Sequence, residues 1–269
     1  MDQSRIPCQI DPARLASLLG TVRDRFTVEA LHECRSTSTS LLERSRQGAP
    51  SGSLLVADRQ TAGRGRCGRS WSSSPEAGLT FSLLWRFAGA GMARLSGLSL
   101  AVGVAVVRAL RTVGVLGVGL KWPNDILLDD GKLGGILIEL ESDHGSPSAV
   151  IGIGLNLHLP PAGEGEFLHR PAALAQVLAP LPDRHHLLAQ LLVDLATVLD
   201  RFSLGGFGAL RSEWQAHHVW QDRPVRLLDG ELVDRVGICL GADADGALLL
   251  RTPTGIERCL SGDLSLRVA

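Results

Sequence analysis

The sequence lacks the features that mark several classes of protein. Its 269 residues contain 27 Lys and Arg against 28 Asp and Glu, so no excess of positive charge points to nucleic acid or an anionic membrane. Its five cysteines, at positions 8, 34, 67, 239 and 259, include no C-x-x-C pair, which argues against a zinc motif or a disulfide framework. No apolar run approaches the about 18 residues that span a bilayer, and the N-terminus does not have the pattern of a signal peptide. A cytoplasmic protein without membrane attachment is therefore predicted.

The pattern that is present indicates mixed secondary structure in a globular chain with 45% hydrophobic and 20% charged residues. Helices are predicted over residues 11–25, 37–47, 94–113 and 185–202, and strands over residues 53–57, 79–87, 120–122, 126–128, 133–140 and 149–159. Short strands separated by Gly and Asp turns follow at residues 224–228, 234–241, 247–251, 256–260 and 264–268. The predicted fold class is α/β (α+β), with a body of residues 1–218 and a small β-barrel of residues 219–269.

A segment rich in glycine and arginine, from Gly63 to Arg69, is the first candidate site. It contains a literal G-x-G-x-x-G, but the following residues include Pro75 and have no helical period, which argues against a dinucleotide-binding turn. Its three arginines could simply form a solvated basic turn. Glycines nevertheless let backbone N–H groups approach an anion while guanidinium groups hold its oxygens. The segment is therefore interpreted as a loop that binds a phosphate or a carboxylate.

Two further segments place unusual residues inside apolar runs. Lys121 ends the run LGVGLK, just before Trp122 and Pro123. Such a lysine is often a surface residue that extends its ammonium group to water, but inside an apolar run it is costly unless it meets an anion. Gly152 and Gly154 would let a flat ligand lie on the backbone of a strand. Each feature alone is more often structural than functional, and it is their order along the chain that points to a function.

Taken in order, these segments resemble the biotin protein ligases over nearly the whole chain. The matching segments are STS at residues 36–38, QTAGRGR followed by GR and W at residues 60–71, KWPND at 121–125, KLGGIL at 132–137 and GIGLN at 152–156. The resemblance implies a mixed-sheet catalytic domain of the biotinyl/lipoyl ligase type with a C-terminal SH3-like barrel. It also implies that biotin and ATP react, with Mg²⁺, to biotinyl-AMP, and that biotin then passes to a lysine of a biotin carboxyl carrier protein.

The resemblance further implies roles for individual residues. Lys121 and Arg66 are expected to be catalytic. The residues expected to bind biotin are Ser36, Thr37, Ser38, Gln60, Arg64, Gly65, Arg66, Lys121, Gly135 and Gly154. Those expected to bind ATP are Arg66, Arg69, Trp71, Asn124, Lys132 and Asn156, and Asp125 is expected to support Mg²⁺. Ser38 stands where the family often has Asn, and Cys67 stands where another basic residue is common.

Three alternatives stand beside this hypothesis. A lipoate or octanoate ligase or transferase shares the expected fold. A biotin-responsive repressor would need a DNA-binding module before Ser36, where 35 residues are too few for a winged helix, so no DNA binding is predicted. A non-catalytic small-molecule binder would leave Lys121 and the arginines without a purpose. His185, His186, His217 and His218 are interpreted as structural residues in surface-like helical positions, and a monomer or weak homodimer is expected.

Overall fold

The computed structural model describes residues 8–87, 91–143, 146–159, 170–229, 232–260 and 264–268. Seven strands form one mixed sheet in the order β1-β2-β3-β7-β6-β5-β4. Their bounds are β1 Thr27–Cys34, β2 Ser53–Gln60, β3 Gly78–Arg86, β4 Val118–Lys121, β5 Asp125–Leu128, β6 Gly131–Asp143 and β7 Ser146–Asn156. Strands β1 and β2 are parallel, and every other neighbouring pair is antiparallel. The predicted mixed α/β class is confirmed.

Helices cover the two faces of this sheet unequally. Their bounds are α1 Pro12–Leu18, α2 Thr37–Arg46, α3 Leu98–Thr112, α4 Arg184–Gly205 and α5 Arg211–His217. Helices α1, α3, α4 and α5 contribute to a large apolar core on one face. On the other face, Leu41 and Leu42 of α2 pack on Leu55, Leu84 and Val150 in a separate, smaller cluster. The face that carries α2 is therefore only partly covered by helix, which leaves room for a site.

Strand alternation decides which residues face that room. Phe81 and Leu83 of β3 point into the large core, so Ser82 between them points to the α2 face. The same alternation turns Ile151 and Ile153 of β7 into the core and Gly152 toward α2. Small and polar residues thus line the sheet beside the first turn of α2.

Several predicted elements differ from the observed ones at glycines. The helix predicted over residues 11–25 is α1 followed by a 3₁₀ turn, Gly20–Arg25, because Gly20 takes a φ of 55°. The helix predicted over residues 94–113 begins with a 3₁₀ turn, Met92–Leu95, and Gly97 at a φ of 76° separates that turn from α3. A Cβ at Gly97 would lie 2.6 Å from the Cβ of Phe207, so the chain also needs glycine there for packing.

Two observed elements have no counterpart in the prediction. Strand β1 forms the edge of the sheet, and most of its side chains are only half-buried. An edge strand can therefore carry charged residues such as Glu29 and Glu33, and these interrupt the apolar pattern that would predict a strand. Helix α5 has seven residues, which is too short for a helical period to stand out. Edge position and short length explain why both were missed.

One stretch of the described chain, Met92–Thr112, is long and apolar enough by composition to cross a membrane. Most of its residues are buried inside the fold, and α3 within it packs against α4 and the sheet. Core packing therefore accounts for its hydropathy.

The C-terminal residues form a second sheet, as predicted. Its strands are β8 Pro224–Asp229, β9 Leu232–Ala242, β10 Leu248–Thr252, β11 Gly255–Cys259 and β12 Leu264–Val268, in the order β11-β10-β9-β8-β12 and antiparallel throughout. The indole N–H of Trp122 donates to the carbonyl of Gly246 at 3.1 Å and ties this sheet to the body. The boundary between residues 218 and 219 stays a prediction.

The surface-like positions predicted for the histidines are wrong for His185 and His218, which are both buried. His185 accepts a hydrogen bond from the backbone N–H of Asp11 at 2.9 Å. His218 lies against Trp214 with ring centroids 4.5 Å apart, and neither of its ring nitrogens has a partner among the described residues. Burial lowers the pKa of His218 from 6.5 to about 4, so it is neutral in the folded protein at pH 7.

We expect acid to destabilise the protein through His218. The unfolded chain takes up a proton near pH 6.5 that the folded chain does not take up until about pH 4. The contribution of His218 to the free energy of unfolding is therefore complete above about pH 6.5. It is lost as the pH falls, by about 3 kcal/mol at about pH 4. The measurement is the free energy of unfolding in urea across this pH range, for wild type and for His218→Phe, which keeps an aromatic ring packed on Trp214. Equal loss of stability in both proteins would contradict the prediction.

Candidate active site

A cavity lies on the α2 face of the sheet, between the first turn of α2, the segment after β2 and the turn between β4 and β5. Every predicted site residue except Asn156 lines it: Ser36, Thr37, Ser38, Gln60, Arg64, Gly65, Arg66, Arg69, Trp71, Lys121, Asn124, Asp125, Lys132, Gly135 and Gly154. Residues from five separate stretches of sequence thus meet in one place. The cavity has a hydroxyl-rich end and a charged end.

The hydroxyl-rich end is a network of short hydrogen bonds. Thr37 Oγ1 lies 2.7 Å from Ser82 Oγ, and Ser38 Oγ lies 2.9 Å from the same atom. Gln60 Oε1 accepts from the backbone N–H of Thr37 at 2.7 Å. Thr80 Oγ1 is buried and has no hydrogen-bond partner among the described residues. Because a buried hydroxyl without a partner is costly, this end of the cavity suits a ligand with polar ring atoms.

Ser38 belongs to this network and does not cap α2. The helix begins at Thr37, and its cap is Ser36, whose Oγ accepts from the backbone N–H of Thr39 at 3.3 Å. A Cβ at Gly152 would lie 2.7 Å from Ser38 Oγ, so glycine at position 152 makes room for the Ser38 hydroxyl. Ser38 thus contributes its hydroxyl to the network, and the capping role belongs to Ser36.

The charged end centres on Asp125, which is buried between two lysines. Lys121 Nζ lies 2.6 Å from Asp125 Oδ2, and Lys132 Nζ lies 2.6 Å from Asp125 Oδ1. The Lys121 side chain is 2% exposed and the Lys132 side chain 28% exposed. Lys121 also lies over the ring of Trp220, 5.4 Å from its centroid. Both lysines line the cavity, and Lys132 is the more exposed of the two.

Burial and neighbouring charge shift the pKa values of Lys121 and Asp125. Burial lowers the pKa of Lys121 to about 8, against the opposing attraction of Asp125. Burial by itself would raise the pKa of Asp125, but the ammonium groups of Lys132 and Lys121 outweigh it and hold that pKa well below its usual range. Asp125 is ionised at pH 7, and the cluster carries net positive charge toward the cavity.

Asp125 does not fit the expected magnesium role. Each of its oxygens already accepts from a lysine ammonium group, which a divalent cation would have to displace. Nor does the part of the chain that the structure describes hold three or more His, Cys, Asp or Glu side chains grouped as metal ligands. In this structure Asp125 pairs with the two lysines, so its expected role at Mg²⁺ gains no support from the contacts it makes.

The arginine-rich segment forms a small hairpin over the cavity, defined here as the arginine hairpin, residues 63–71. The backbone N–H of Gly65 donates to Arg69 at 2.7 Å, and that of Trp71 donates to Gly63 at 2.9 Å. Cys67 and Gly68 form its tip with φ values of 56° and 71°. Arg66 Nη1 donates to Asn124 Oδ1 at 3.2 Å, while Arg69 is exposed at the cavity mouth. The dinucleotide-binding alternative is excluded, because no helix follows the glycines.

Gly135 of β6 and Gly154 of β7 make room for a protein side chain. A Cβ at Gly154 would lie 2.3 Å from Cε2 of Trp71, and one at Gly135 would lie 3.5 Å from Cζ3 of the same indole. The expectation that a flat ligand lies directly on this backbone needs correction, since the indole of Trp71 occupies that place. The free face of the indole borders the cavity, and Lys132 Nζ lies 6.0 Å from its ring centroid.

Asn156 is the predicted site residue that lies outside the cavity lining. Its Nδ2 donates to the carbonyls of Lys132 at 3.1 Å and Ala172 at 3.0 Å. The amide thus supports the backbone that carries Lys132 and is not directed at a ligand. Its expected contact with ATP is replaced by this supporting role.

The cavity residues that were not predicted from sequence include Thr80, Ser82, Leu264 and Ser265. Thr80 and Ser82 sit in the apolar strand β3, where polar residues at alternate positions were a detectable signal. Leu264 and Ser265 come from β12 of the C-terminal sheet, and nothing in the sequence places that strand beside the cavity. The C-terminal sheet therefore contributes directly to the site.

Fold and cavity together define a mixed α/β protein that binds a ligand with a polar end and an anionic end. The arginine hairpin and the lysine pair carry enough positive charge to balance more than one anionic group of a ligand. Comparison with known proteins agrees with this class. Residues 31–156 match the biotin/lipoate A/B protein ligase family, and residues 222–267 match the biotin protein ligase C-terminal domain.

Individual relatives narrow the class further. The chain is 37% identical over 97% of its length to the bifunctional ligase/repressor BirA of Salmonella typhimurium, covering 79% of that protein. It is 32% identical over 93% of its length to the biotin--[acetyl-CoA-carboxylase] ligase of Mycobacterium tuberculosis, covering 92% of it. The biotin protein ligase of Aquifex aeolicus in complex with biotin and ATP superposes with a TM-score of 0.78 at 33% identity, over 90% of this chain and 99% of the other. The chain belongs to the biotin protein ligase family.

We expect Asp125→Ala to destabilise the protein more than removal of the whole ion pair. The single substitution leaves Lys121 buried without its carboxylate partner, which costs about 3–5 kcal/mol in comparable buried pairs. Adding Lys121→Met removes the buried charge and recovers part of this loss. Free energies of unfolding in urea for the single and double variants provide the check. A double variant less stable than Asp125→Ala would show that the buried charge is not the cause.

Proposed function

We propose that this protein activates biotin with ATP to biotinyl-AMP and transfers biotin to a lysine of a biotin carboxyl carrier protein. The observation that carries the proposal is one cavity with a hydroxyl network at one end and a lysine pair under an arginine hairpin at the other. The first end suits the polar ring system of biotin, and the second suits a carboxylate beside phosphates. The names of the relatives point to the same activity.

The geometry favours a specific orientation of biotin. The ring system would meet Thr37, Ser38 and Gln60, and its carboxylate would extend toward Lys132, whose ammonium group borders the open cavity. Ser82, held by Thr37 and Ser38, would join this contact. Lys121, expected from sequence to meet the carboxylate, is better suited to holding Asp125 and the β4–β5 turn, because its ammonium group is buried.

The chemistry needs charge and positioning more than acid–base catalysis. A biotin carboxylate oxygen attacks the α-phosphorus of ATP, an acyl–phosphate bond forms and pyrophosphate leaves. Lys132 and the guanidinium groups of Arg66 and Arg69 would reduce the repulsion between these anions and stabilise the charge on phosphorus. The face of Trp71 that borders the cavity would support the adenine, and Asn124, by holding Arg66, would support the nucleotide.

The second step transfers the acyl group. The neutral amine of the acceptor lysine attacks the acyl carbon of biotinyl-AMP, an amide forms, AMP leaves and the amine loses a proton. Biotinyl-AMP is a mixed anhydride that water hydrolyses, so the arginine hairpin would exclude water until the acceptor arrives. Mg²⁺ dependence is proposed without any protein ligand. The predicted absence of DNA binding, the monomeric or weakly dimeric state and the cytoplasmic location stay predictions.

Isotope exchange between pyrophosphate and ATP tests the proposed function. We expect the exchange to depend on biotin, because label enters ATP only when biotin and ATP form biotinyl-AMP and pyrophosphate and this step runs in reverse. Parallel reactions with lipoate and octanoate test the alternative from the same fold, and both are expected to stay at background. Exchange with lipoate or octanoate but not biotin would overturn the assignment.

Substitution of the two lysines should separate their roles. Lys132→Ala is expected to lower kcat for exchange by roughly 100-fold, since it removes a charge at the developing acyl phosphate. Lys121→Met should cost less, on the order of 10-fold, because it acts through Asp125. His186→Ala, which changes an exposed histidine, serves as the control and should remain near wild type. A larger loss for Lys121→Met than for Lys132→Ala at equal stability would reverse the assignment.

A further inference from the structure

The side chain of Arg64 attaches the arginine hairpin to the body of the protein. Arg64 Nη2 forms an ion pair with Glu139 Oε1 of β6 at 2.8 Å, and its Nη1 donates to Thr39 Oγ1 of α2 at 3.3 Å. One guanidinium group thus joins the hairpin to a strand and to a helix. Sequence analysis placed Arg64 among the biotin-binding residues, but its charge is already matched by protein.

Glu139 is set into the sheet and depends on this partner. Its side chain is 17% exposed, against 47% for Arg64. Its Oε2 is buried and has no hydrogen-bond partner among the described residues. A carboxylate in such a place is costly unless a cation approaches it, so Glu139 favours the hairpin position that brings Arg64 to it.

Backbone hydrogen bonds join Arg64 to the rest of the hairpin. Its backbone hydrogen bonds fasten Gly63 to Trp71 and Gly65 to Arg69, so the hairpin is one unit. The hydrogen bond from Arg66 to Asn124 also ties the hairpin to the turn between β4 and β5. Displacing Arg64 from Glu139 would therefore withdraw Arg66, Arg69 and Trp71 from the cavity together.

We propose that Arg64 and Glu139 form a latch that holds the arginine hairpin closed over the intermediate. Glu139 is a positioning residue that contacts no ligand, and it sets how long biotinyl-AMP is retained without altering the reacting groups. This inference rests on the proposed function for the identity of the retained intermediate. The latch itself rests only on contacts within the protein.

The same strand offers a matched control. Glu141, two residues further along β6, forms an ion pair with Arg46 of α2 at 2.6 Å, and its side chain is 15% exposed. Glu139 and Glu141 thus have the same chemistry, similar burial and the same face of the sheet. Only Glu139 is bound to the hairpin. Glu139→Gln and Glu141→Gln therefore differ in whether the latch is broken.

Retention of the intermediate is the first measurement. The full-length protein is loaded with tritiated biotin and ATP, and loss of bound label is followed after a chase with excess unlabelled biotin. Glu139→Gln should release label about three- to tenfold faster than wild type, because the ion pair that holds the hairpin closed is lost. Glu141→Gln should stay within about twofold of wild type. Added salt should speed release from wild type but hardly from Glu139→Gln, because salt screens a partly exposed ion pair.

The second measurement needs no ligand and keeps the latch testable if the proposed function fails. Trypsin cleaves after arginine, and the hairpin carries Arg64, Arg66 and Arg69. Cleavage within residues 64–69, located by mass spectrometry, should be several-fold faster in Glu139→Gln than in wild type or Glu141→Gln. The double variant Arg64→Glu with Glu139→Arg should release label more slowly than Arg64→Glu alone.

The outcomes separate the two claims. Equal cleavage of the hairpin in wild type, Glu139→Gln and Glu141→Gln would overturn the latch, whatever the ligand is. Equal acceleration in both glutamine variants would also overturn it, because the effect would then come from general loosening of β6. Faster cleavage in Glu139→Gln alone, together with no biotin-dependent exchange in wild type, would keep the latch and sink the proposed function.

Discussion

The buried carboxylate of Asp125 is the interaction on which the charged end of the site depends. Two ammonium groups at 2.6 Å from one carboxylate could not share this buried space without it, since their repulsion would be little screened. Lys121 ends β4, Asp125 begins β5 and Lys132 lies near the start of β6, so the cluster also fixes how three strands meet. Positive charge is thereby concentrated at one end of the cavity without an isolated buried cation.

The opposite end depends on a different constraint, the alternation of side chains along β3 and β7. Apolar residues face the helical core, and the positions between them are left for Thr80, Ser82, Gly152 and Gly154. The glycines admit Ser38 and the indole of Trp71 at distances that any Cβ would forbid. A polar network and an aromatic wall therefore stand on the same sheet that builds the core.

Much of this could be predicted from sequence. The amphipathic periods of α3 and α4 depend on local spacing, and the structure contains both helices, although α3 begins four residues later than predicted. The segments around Arg66, Lys121 and Gly154 were identified from local features. A charge inside an apolar run is costly, and glycines allow a close approach to the backbone. The edge strand β1 and the short helix α5 escaped detection, because their residues are shaped by neighbours and not by a period of their own.

The two-part architecture and most of the segments that line the cavity follow from the amino-acid sequence alone. Only the tertiary structure decided what each side chain does there. The tertiary structure buries Lys121, leaves Lys132 partly exposed, pairs Asp125 with both lysines and turns Asn156 to the backbone. It also brought Arg64 to Glu139, 75 positions along the chain. The physical reason is that pairing, burial and desolvation are properties of atoms brought together from distant segments, and no local pattern records them.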